Sequence, residues 1–171
     1  MIYRIVKYGD PILETPASDV TNFGTPELKQ LVDDMFETMY ANKGVGLAAP
    51  QIAVSERLTV IDTSAGEDAT QKVVLINPEI IVREGSQVGE EGCLSIPGFR
   101  EDVKRAKHVV VRAKNVEGET IEVPGEDLLA RAMQHEIDHL NGILFLSHLS
   151  MLKRDLIRRK IRKLQKAGEW N

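Results

Sequence analysis

Cysteines and long apolar runs are both scarce in this chain of 171 residues. Cys93 is the single cysteine, so no disulfide can form within the chain, and its thiol is free, metal-bound or catalytic. No apolar run approaches the roughly 20 residues that a membrane span needs. Residues 1–6 lack the long apolar region and the cleavage site of a signal peptide. We therefore expect a cytoplasmic protein without a membrane partner.

Positive charge is also in deficit, with 22 Lys and Arg against 26 Asp and Glu and a formal net charge of −4. This balance gives no reason to expect DNA as a partner. One segment differs, because residues 153–166 carry eight basic residues and only one acidic residue, Asp155. That segment therefore needs an explanation of its own.

What the chain does contain is a short segment with two histidines, His135-Glu136-Ile137-Asp138-His139. Residues four apart lie on the same face of an α-helix, so both imidazoles can reach one metal ion. Glu136 lies off that line but close enough to contact a water at the metal. The segment is the H-E-x-x-H arrangement of metal-dependent hydrolases.

A catalytic site of this type needs about three protein ligands and an open position. The metzincin proteases place a third histidine six residues after the second, but this chain has Phe145 there. The only glutamate downstream of His139 is Glu169, next to the C-terminus, which is a poor place for a rigid ligand. Cys93 is the remaining candidate, since a thiolate is a strong ligand for Zn²⁺ or Fe²⁺. The alternative for Cys93 is a buried structural cysteine.

The segment Gly44-Val45-Gly46-Leu47-Ala48-Ala49-Pro50-Gln51 is built mostly from small residues. Its glycines and alanines would let another part of the backbone approach closely. A simple turn is the alternative, and no Gly-Lys-Ser/Thr sequence of a phosphate-binding loop follows.

The pattern of apolar residues predicts the fold. We expect a strand over 2–6, a helix from Thr25 to about 42–44, strands over 57–62, 73–76, 80–82 and within 102–124, a helix carrying His135, and a last helix over about 150–165. This order predicts an α+β fold in a single domain over residues 1–171. Short antiparallel sheets would pack around the central H-E-x-x-H helix, with a helix towards each terminus.

Three segments together resemble the signature motifs of the peptide deformylases, in the order and at separations compatible with that family. They are residues 44–51, Glu91-Gly92-Cys93-Leu94-Ser95, and residues 134–142. The resemblance covers nearly the whole chain. It implies a hydrolase that removes the N-formyl group from the N-terminal formylmethionine of newly synthesised proteins. It also implies one divalent metal ion, Fe²⁺ in the cell, with Zn²⁺ or Ni²⁺ able to substitute.

The resemblance assigns roles to individual residues. The implied metal ligands are Cys93, His135 and His139. The implied catalytic groups are Glu136 as general base, with the side chain of Gln51 and the backbone N–H of Leu94 as donors to the oxyanion. The implied contacts to the peptide backbone are Val45, Gly46 and Gly92.

The helical spacing before His135 adds candidates for the substrate's methionine pocket, namely Leu128, Arg131 and Ala132. Arg131 either forms the pocket rim or is a solvated surface arginine. Glu91 is a further candidate substrate contact, and it is also expected to hydrogen-bond around the site or to order Arg100 or Arg105. Asp138 either orients a neighbouring group or faces solvent.

Other hypotheses remain open at this point. A metalloprotease could use another third ligand, a thiol enzyme could use Cys93 as nucleophile, and a non-enzymatic domain could use a closed metal site. The expected partners are N-formylmethionyl nascent peptides. The basic segment is either the solvated face of an amphipathic helix or a surface that docks on ribosomal RNA.

Overall fold

The computed structural model of the chain describes residues 1–170. Its helices are α1 (Pro26–Ala41), α2 (Asp127–Leu140) and α3 (Met151–Lys166). Its strands are β1 (Gly46–Ala48), β2 (Leu58–Ile61), β3 (Val73–Glu84), β4 (Gln87–Cys93), β5 (Ile96–Arg105), β6 (His108–Lys114) and β7 (Thr120–Glu126). Short 3-10 helices cover Pro11–Glu14, Ala49–Ile52, Ala69–Gln71 and Phe145–His148. Among these described residues, no helix is long and apolar enough to cross a membrane.

The strands form two antiparallel sheets. One has five strands in the order β1-β2-β3-β6-β7, and the other is the hairpin of β4 and β5. Helix α2, which carries the H-E-x-x-H residues, packs mainly on β7, β1 and β2. The predicted α+β fold, with short antiparallel sheets around this helix, is confirmed.

Helix α1 begins and ends where its sequence indicates. The Thr25 side chain accepts a hydrogen bond from the Leu28 N–H at 3.2 Å, and Pro26 occupies the first turn. The helix ends at Ala41, and the Gly44 N–H donates to the Met39 carbonyl at 2.9 Å. Its apolar face enters a core cluster that also contains Leu47. The residues that follow α1 are thereby held beside the core.

The strand predicted over residues 2–6 is wrong. This segment makes single backbone bonds rather than a ladder, with Val6 N–H donating to the Gln51 carbonyl at 2.7 Å and Tyr8 N–H donating to the Ser95 carbonyl at 2.8 Å. It therefore connects the backbones of two separate motif segments.

The predicted break between residues 76 and 80 is also wrong, because β3 runs through Asn77 and Pro78 as one strand. The register shifts between Ile76 and Glu79, and Asn77 adopts a positive φ of 50°. A bulge accommodates the proline, which has no N–H to donate to a ladder.

Hairpin β4–β5 was not predicted as a whole. Glycines at 89 and 92 and charged residues at 90, 91 and 100–102 weaken the apolar pattern of a strand. The structure pairs Gln87 with Arg105 at one end of the hairpin and Cys93 with Ile96 at the other. Cys93 therefore lies at the end of a strand, directly before a tight turn.

Candidate active site

Three candidate metal ligands converge from two elements. Cys93 comes from the end of β4, and His135 and His139 lie one turn apart on the buried face of α2. Their ligand atoms all lie within 4.8 Å of one another, and Cys93 Sγ is 3.3 Å from His139 Nε2. The two imidazole ring centroids are 5.0 Å apart. One ion can therefore contact all three side chains.

The protonation of His135 follows from its neighbour. Nδ1 of His135 lies 2.8 Å from Glu91 Oε1. Because an ionised carboxylate only accepts hydrogen bonds, Nδ1 carries the donated hydrogen, and Nε2 is left for a metal. Burial alone would lower the pKa of His135, but hydrogen bonds to Cys93 and Glu91 outweigh burial and raise it well above its usual value. These two groups thus favour a cation at the ring, whether a proton or a metal ion.

Glu91 is itself held by two guanidinium groups. Arg105 donates to both carboxylate oxygens, at 2.8 and 2.9 Å, and Arg131 donates to Oε2. Burial alone would raise the pKa of Glu91, but the bonds from Arg105 and His135 hold it well below its usual range. Arg105 is therefore the arginine that Glu91 orders, whereas Arg100 pairs with Glu90 at the surface.

The network continues outward from Arg105. Its Nη1 lies 2.7 Å from Asp138 Oδ2, and His148 Nε2 lies 2.8 Å from the same oxygen. Asp138 thus orients a neighbouring side chain, Arg105. This agrees with the first of the two alternatives predicted for Asp138, and not with a residue that only faces solvent. Sequence predicts no role for His148, which lies three residues after the position of the third metzincin histidine, and a lone histidine outside any motif carries no signal of its partners.

Glu136 is buried beside the candidate ligands. Burial raises the pKa of its carboxyl to about 7, and its Oε2 has no hydrogen-bond partner within residues 1–170. A Cβ atom built on Gly46 would lie 2.8 Å from Glu136 Oε1, so only glycine leaves room for the carboxylate there. A buried acid of this kind, open towards a cavity, is typical of a group that exchanges protons during a reaction.

Gln51 is fixed by its own turn. Its Oε1 accepts from the Ala48 N–H at 2.9 Å, which leaves the amide nitrogen as donor. That nitrogen lies 3.1 Å from Ser95 Oγ and 3.5 Å from Cys93 Sγ. The small-residue segment therefore places an amide donor next to Cys93.

A cavity of about 730 Å³ opens over these groups. Its walls include the predicted substrate-contact residues Val45, Gly46, Glu91, Gly92, Leu128, Arg131 and Ala132, together with Gln51, Cys93, Leu94, His135 and Glu136. Leu128 is 51% exposed and lies at the opening. Arg131 is only 7% exposed, so the solvated alternative is wrong. Its guanidinium instead lies in the wall, against Glu91.

The donor set fits a divalent transition metal. One thiolate and two imidazoles are ligands that Zn²⁺ and Fe²⁺ accept. Burial and the neighbouring His135 lower the pKa of His139 well below its usual value, which keeps that imidazole neutral and able to bind a metal. His139 Nδ1 has no partner among the described residues, and its Nε2 lies 3.3 Å from Cys93 Sγ.

Residues 2–155 match the model of a family described as polypeptide deformylase. The chain belongs to the peptide deformylase family. It is 63% identical over 170 residues to the peptide deformylase of Acidobacterium capsulatum, with 99% of each chain covered. It is 51% identical over 170 residues to that of Alkalilimnicola ehrlichii, covering 99% of this chain and 94% of the relative.

Solved deformylase structures share this fold. The peptide deformylase of Legionella pneumophila superposes with a TM-score of 0.91 at 45% identity, covering 100% of this chain and 99% of that one. A class I type b deformylase of Acinetobacter baumannii with bound Met-Ala-Ser gives a TM-score of 0.81 at 36% identity, covering 87% and 99%. Deformylases are metal-dependent hydrolases that remove the formyl group from the N-terminal methionine of new proteins. This activity excludes the open alternatives of a protease, a thiol enzyme and a structural metal domain.

Proposed function

We propose that deformylation takes place in this cavity, with Cys93, His135 and His139 holding one divalent metal ion. The convergence of their three ligand atoms within 4.8 Å carries the proposal. Residues 1–171 would form a single catalytic domain, since both sheets and α2 contribute groups to the site. When bound, the metal supplies Lewis-acid chemistry that makes water reactive at neutral pH. The thiolate in the donor set supports Fe²⁺ as the ion in the cell, with Zn²⁺ or Ni²⁺ able to replace it.

Glu136 would act as the general base. Its unpartnered Oε2 can accept a proton from the water that attacks the formyl carbon. The same carboxyl then donates that proton to the departing amine. A pKa raised by burial to about 7 suits both steps, because the group can take up and release a proton near neutral pH.

The negative charge that develops on the formyl oxygen needs donors that are already in place. Gln51 would supply its side-chain N–H, since its oxygen is already bonded to Ala48. The backbone N–H of Leu94, directly after Cys93, would supply the second donor.

The peptide would bind in an extended form between two strand edges. Each of β1 and β4 pairs with a single partner, β2 and β5 respectively, so each has one free edge. Backbone groups of Val45, Gly46 and Gly92 would pair with the peptide along these edges. The methionine side chain would lie against Leu128, Ala132 and the aliphatic part of Arg131, which line the cavity. The Met-Ala-Ser bound to the Acinetobacter baumannii relative supports a peptide of this length and sequence.

The substrate also indicates where in the cell the enzyme works. Nascent chains with formylmethionine are made in the cytoplasm, so we propose that the enzyme works there. Its basic helix α3 would dock on the ribosome, whose RNA supplies negative charge.

Turnover of formyl-Met-Ala-Ser tests the proposed site. We expect the protein loaded with nickel to hydrolyse this peptide and to lose activity when a chelator removes the ion. Cys93→Ser should weaken metal binding and lower activity together. Full activity of the metal-free protein would contradict the proposal.

A further inference from the structure

We propose that Arg131 is a positioning residue for the metal centre, which acts through Glu91 on His135. The inference rests on the proposed metal site. It gives Arg131 a role that its place in the substrate cavity does not require.

The contacts of Arg131 are directed at Glu91 rather than at solvent. Nη1 donates to Glu91 Oε2 at 2.5 Å and to the Val103 carbonyl at 3.0 Å. Nη2 lies 3.5 Å from Gln87 Oε1. The Arg131 side chain is 9% exposed and the Glu91 side chain 4%, so water competes little for this ion pair.

The arrangement matters because the candidate ligands lie on different elements. Cys93 is on β4, whereas His135 is on α2, and α2 packs mainly on β7, β1 and β2. Glu91 lies two residues before Cys93 and bonds to α2 at two points one turn apart, Arg131 and His135. These two bonds hold the strand end in register with the helix.

The two arginines hold the Glu91 carboxylate against different elements of the fold. Arg105 belongs to β5, the hairpin partner of β4, so its bonds hold the carboxylate within its own hairpin. Arg105 also reaches the helix, but only indirectly, through its bond to Asp138. Besides His135, Arg131 is the residue of α2 that bonds directly to the carboxylate. Without this direct bond, the Glu91 carboxylate and the His135 ring would be less firmly fixed relative to Cys93.

Gly89 leaves the space that the guanidinium occupies. A Cβ atom on Gly89 would lie 3.1 Å from Arg131 Nη2, which is closer than a side chain normally packs. The backbone of Gly89 does not have a positive φ, so alanine is compatible with its conformation. Gly89→Ala is therefore a way to displace Arg131 without removing it.

The test measures Zn²⁺ affinity of the purified protein by competition with a chelator, at a temperature where circular dichroism shows every variant folded. Arg131→Met keeps most of the side-chain volume and removes the hydrogen bonds. We expect about tenfold weaker binding, since partners of metal-ligating histidines typically contribute 10- to 100-fold. Arg131→Lys should recover part of the loss. Arg112→Met, which removes a surface pair with Glu122, should leave the affinity unchanged.

Gly89→Ala is a second, independent variant. If Arg131→Met does not fold, Gly89→Ala and Arg131→Lys together still test the inference. Gly89→Ala should weaken Zn²⁺ binding in the wild-type background but not in the Arg131→Met background, where the Cβ has room. Unchanged Zn²⁺ affinity in Arg131→Met, with a raised KM for formyl-Met-Ala-Ser, would overturn the inference and leave Arg131 as a substrate contact. If the wild-type protein itself bound no stoichiometric Zn²⁺, the metal site would fail instead.

Discussion

At the scale of single residues, a missing side chain at Gly46 makes room for the proposed base. Because a Cβ there would approach Glu136 Oε1 to 2.8 Å and its Cγ to 3.1 Å, the carboxylate would have to move. We expect Gly46→Ala to lower kcat for formyl-Met-Ala-Ser by up to about 100-fold, since a misplacement of about 1 Å can cost that much. Metal content should stay equal to that of the wild type.

Gly44→Ala is the comparison variant, since the close contact of the added Cβ there is with the end of the Leu94 side chain at 2.8 Å, and its next neighbours lie at an ordinary 3.5 Å. That end can rotate away, and the loss of kcat should be smaller. An equal kcat for Gly46→Ala and the wild type would show that Glu136 has more space than the structure gives it.

A second residue pair, Tyr40 and Asp62, makes stability depend on pH. Burial and the hydrogen bond to Asp62 raise the pKa of Tyr40 to about 12, above its ordinary value of about 10. The stabilising contribution is therefore complete below about pH 10 and is lost as the pH rises towards 12. Tyr40→Phe should remove this part of the decline.

The free energy of unfolding, measured in urea between pH 8 and the alkaline limit of folding, checks this expectation. A wild-type slope above pH 10 equal to that of Tyr40→Phe would contradict it. Asp62 itself is suited to accept the bond, because it also accepts from Ser64 and from the Gly66 N–H.

At the scale of elements, α3 has buried residues that pack against the core and exposed residues that carry its charge. Leu152 and Leu156 on this helix are 71% and 46% exposed, whereas Ile157 and Ile161 are buried with Trp170. Deletion of the helix would therefore expose a core cluster, and it cannot test ribosome binding alone. Substitution of exposed charges is the appropriate test.

Lys160 and Lys163 are both exposed on α3. If this face docks on ribosomal RNA, Lys160→Glu with Lys163→Glu should weaken ribosome binding by about tenfold or more, with binding also falling as salt increases. Cosedimentation with ribosomes measures this. Lys29→Glu with Lys107→Glu makes the same charge change on other exposed positions and should bind as the wild type does. Equal binding of both double variants would remove α3 from the proposal.

Sequence patterns predict some of the helices and strands of this fold and miss others. Helix α2 and its two histidines follow from helical spacing alone, and α1 from its capping residues. Hairpin β4–β5 was missed as a unit because its register depends on pairing between distant residues, such as Gln87 with Arg105. The extended segment 2–6 has strand-like alternation but no neighbouring strand to pair with.

At the scale of the whole molecule, the site is assembled from segments far apart in sequence. Gln51, Cys93 and His135 meet because the 3-10 turn after β1, the end of β4 and α2 converge on one cavity. Motif resemblance identified these three residues, but no local pattern contains the contacts between them. The hydrogen bonds of Arg131 and His148 also join residues that are distant in sequence, so they can be identified only from the three-dimensional structure.

The central claim is that a buried, unpartnered Glu136 transfers the proton beside a Cys93/His135/His139 metal site. Glu136→Gln keeps the shape of the side chain and removes its ability to accept a proton. With formyl-Met-Ala-Ser and nickel-loaded protein, kcat should fall by at least about 100-fold, the lower range for loss of a general base. The nickel content should stay at one ion per chain. An unchanged kcat at that metal content would contradict the account.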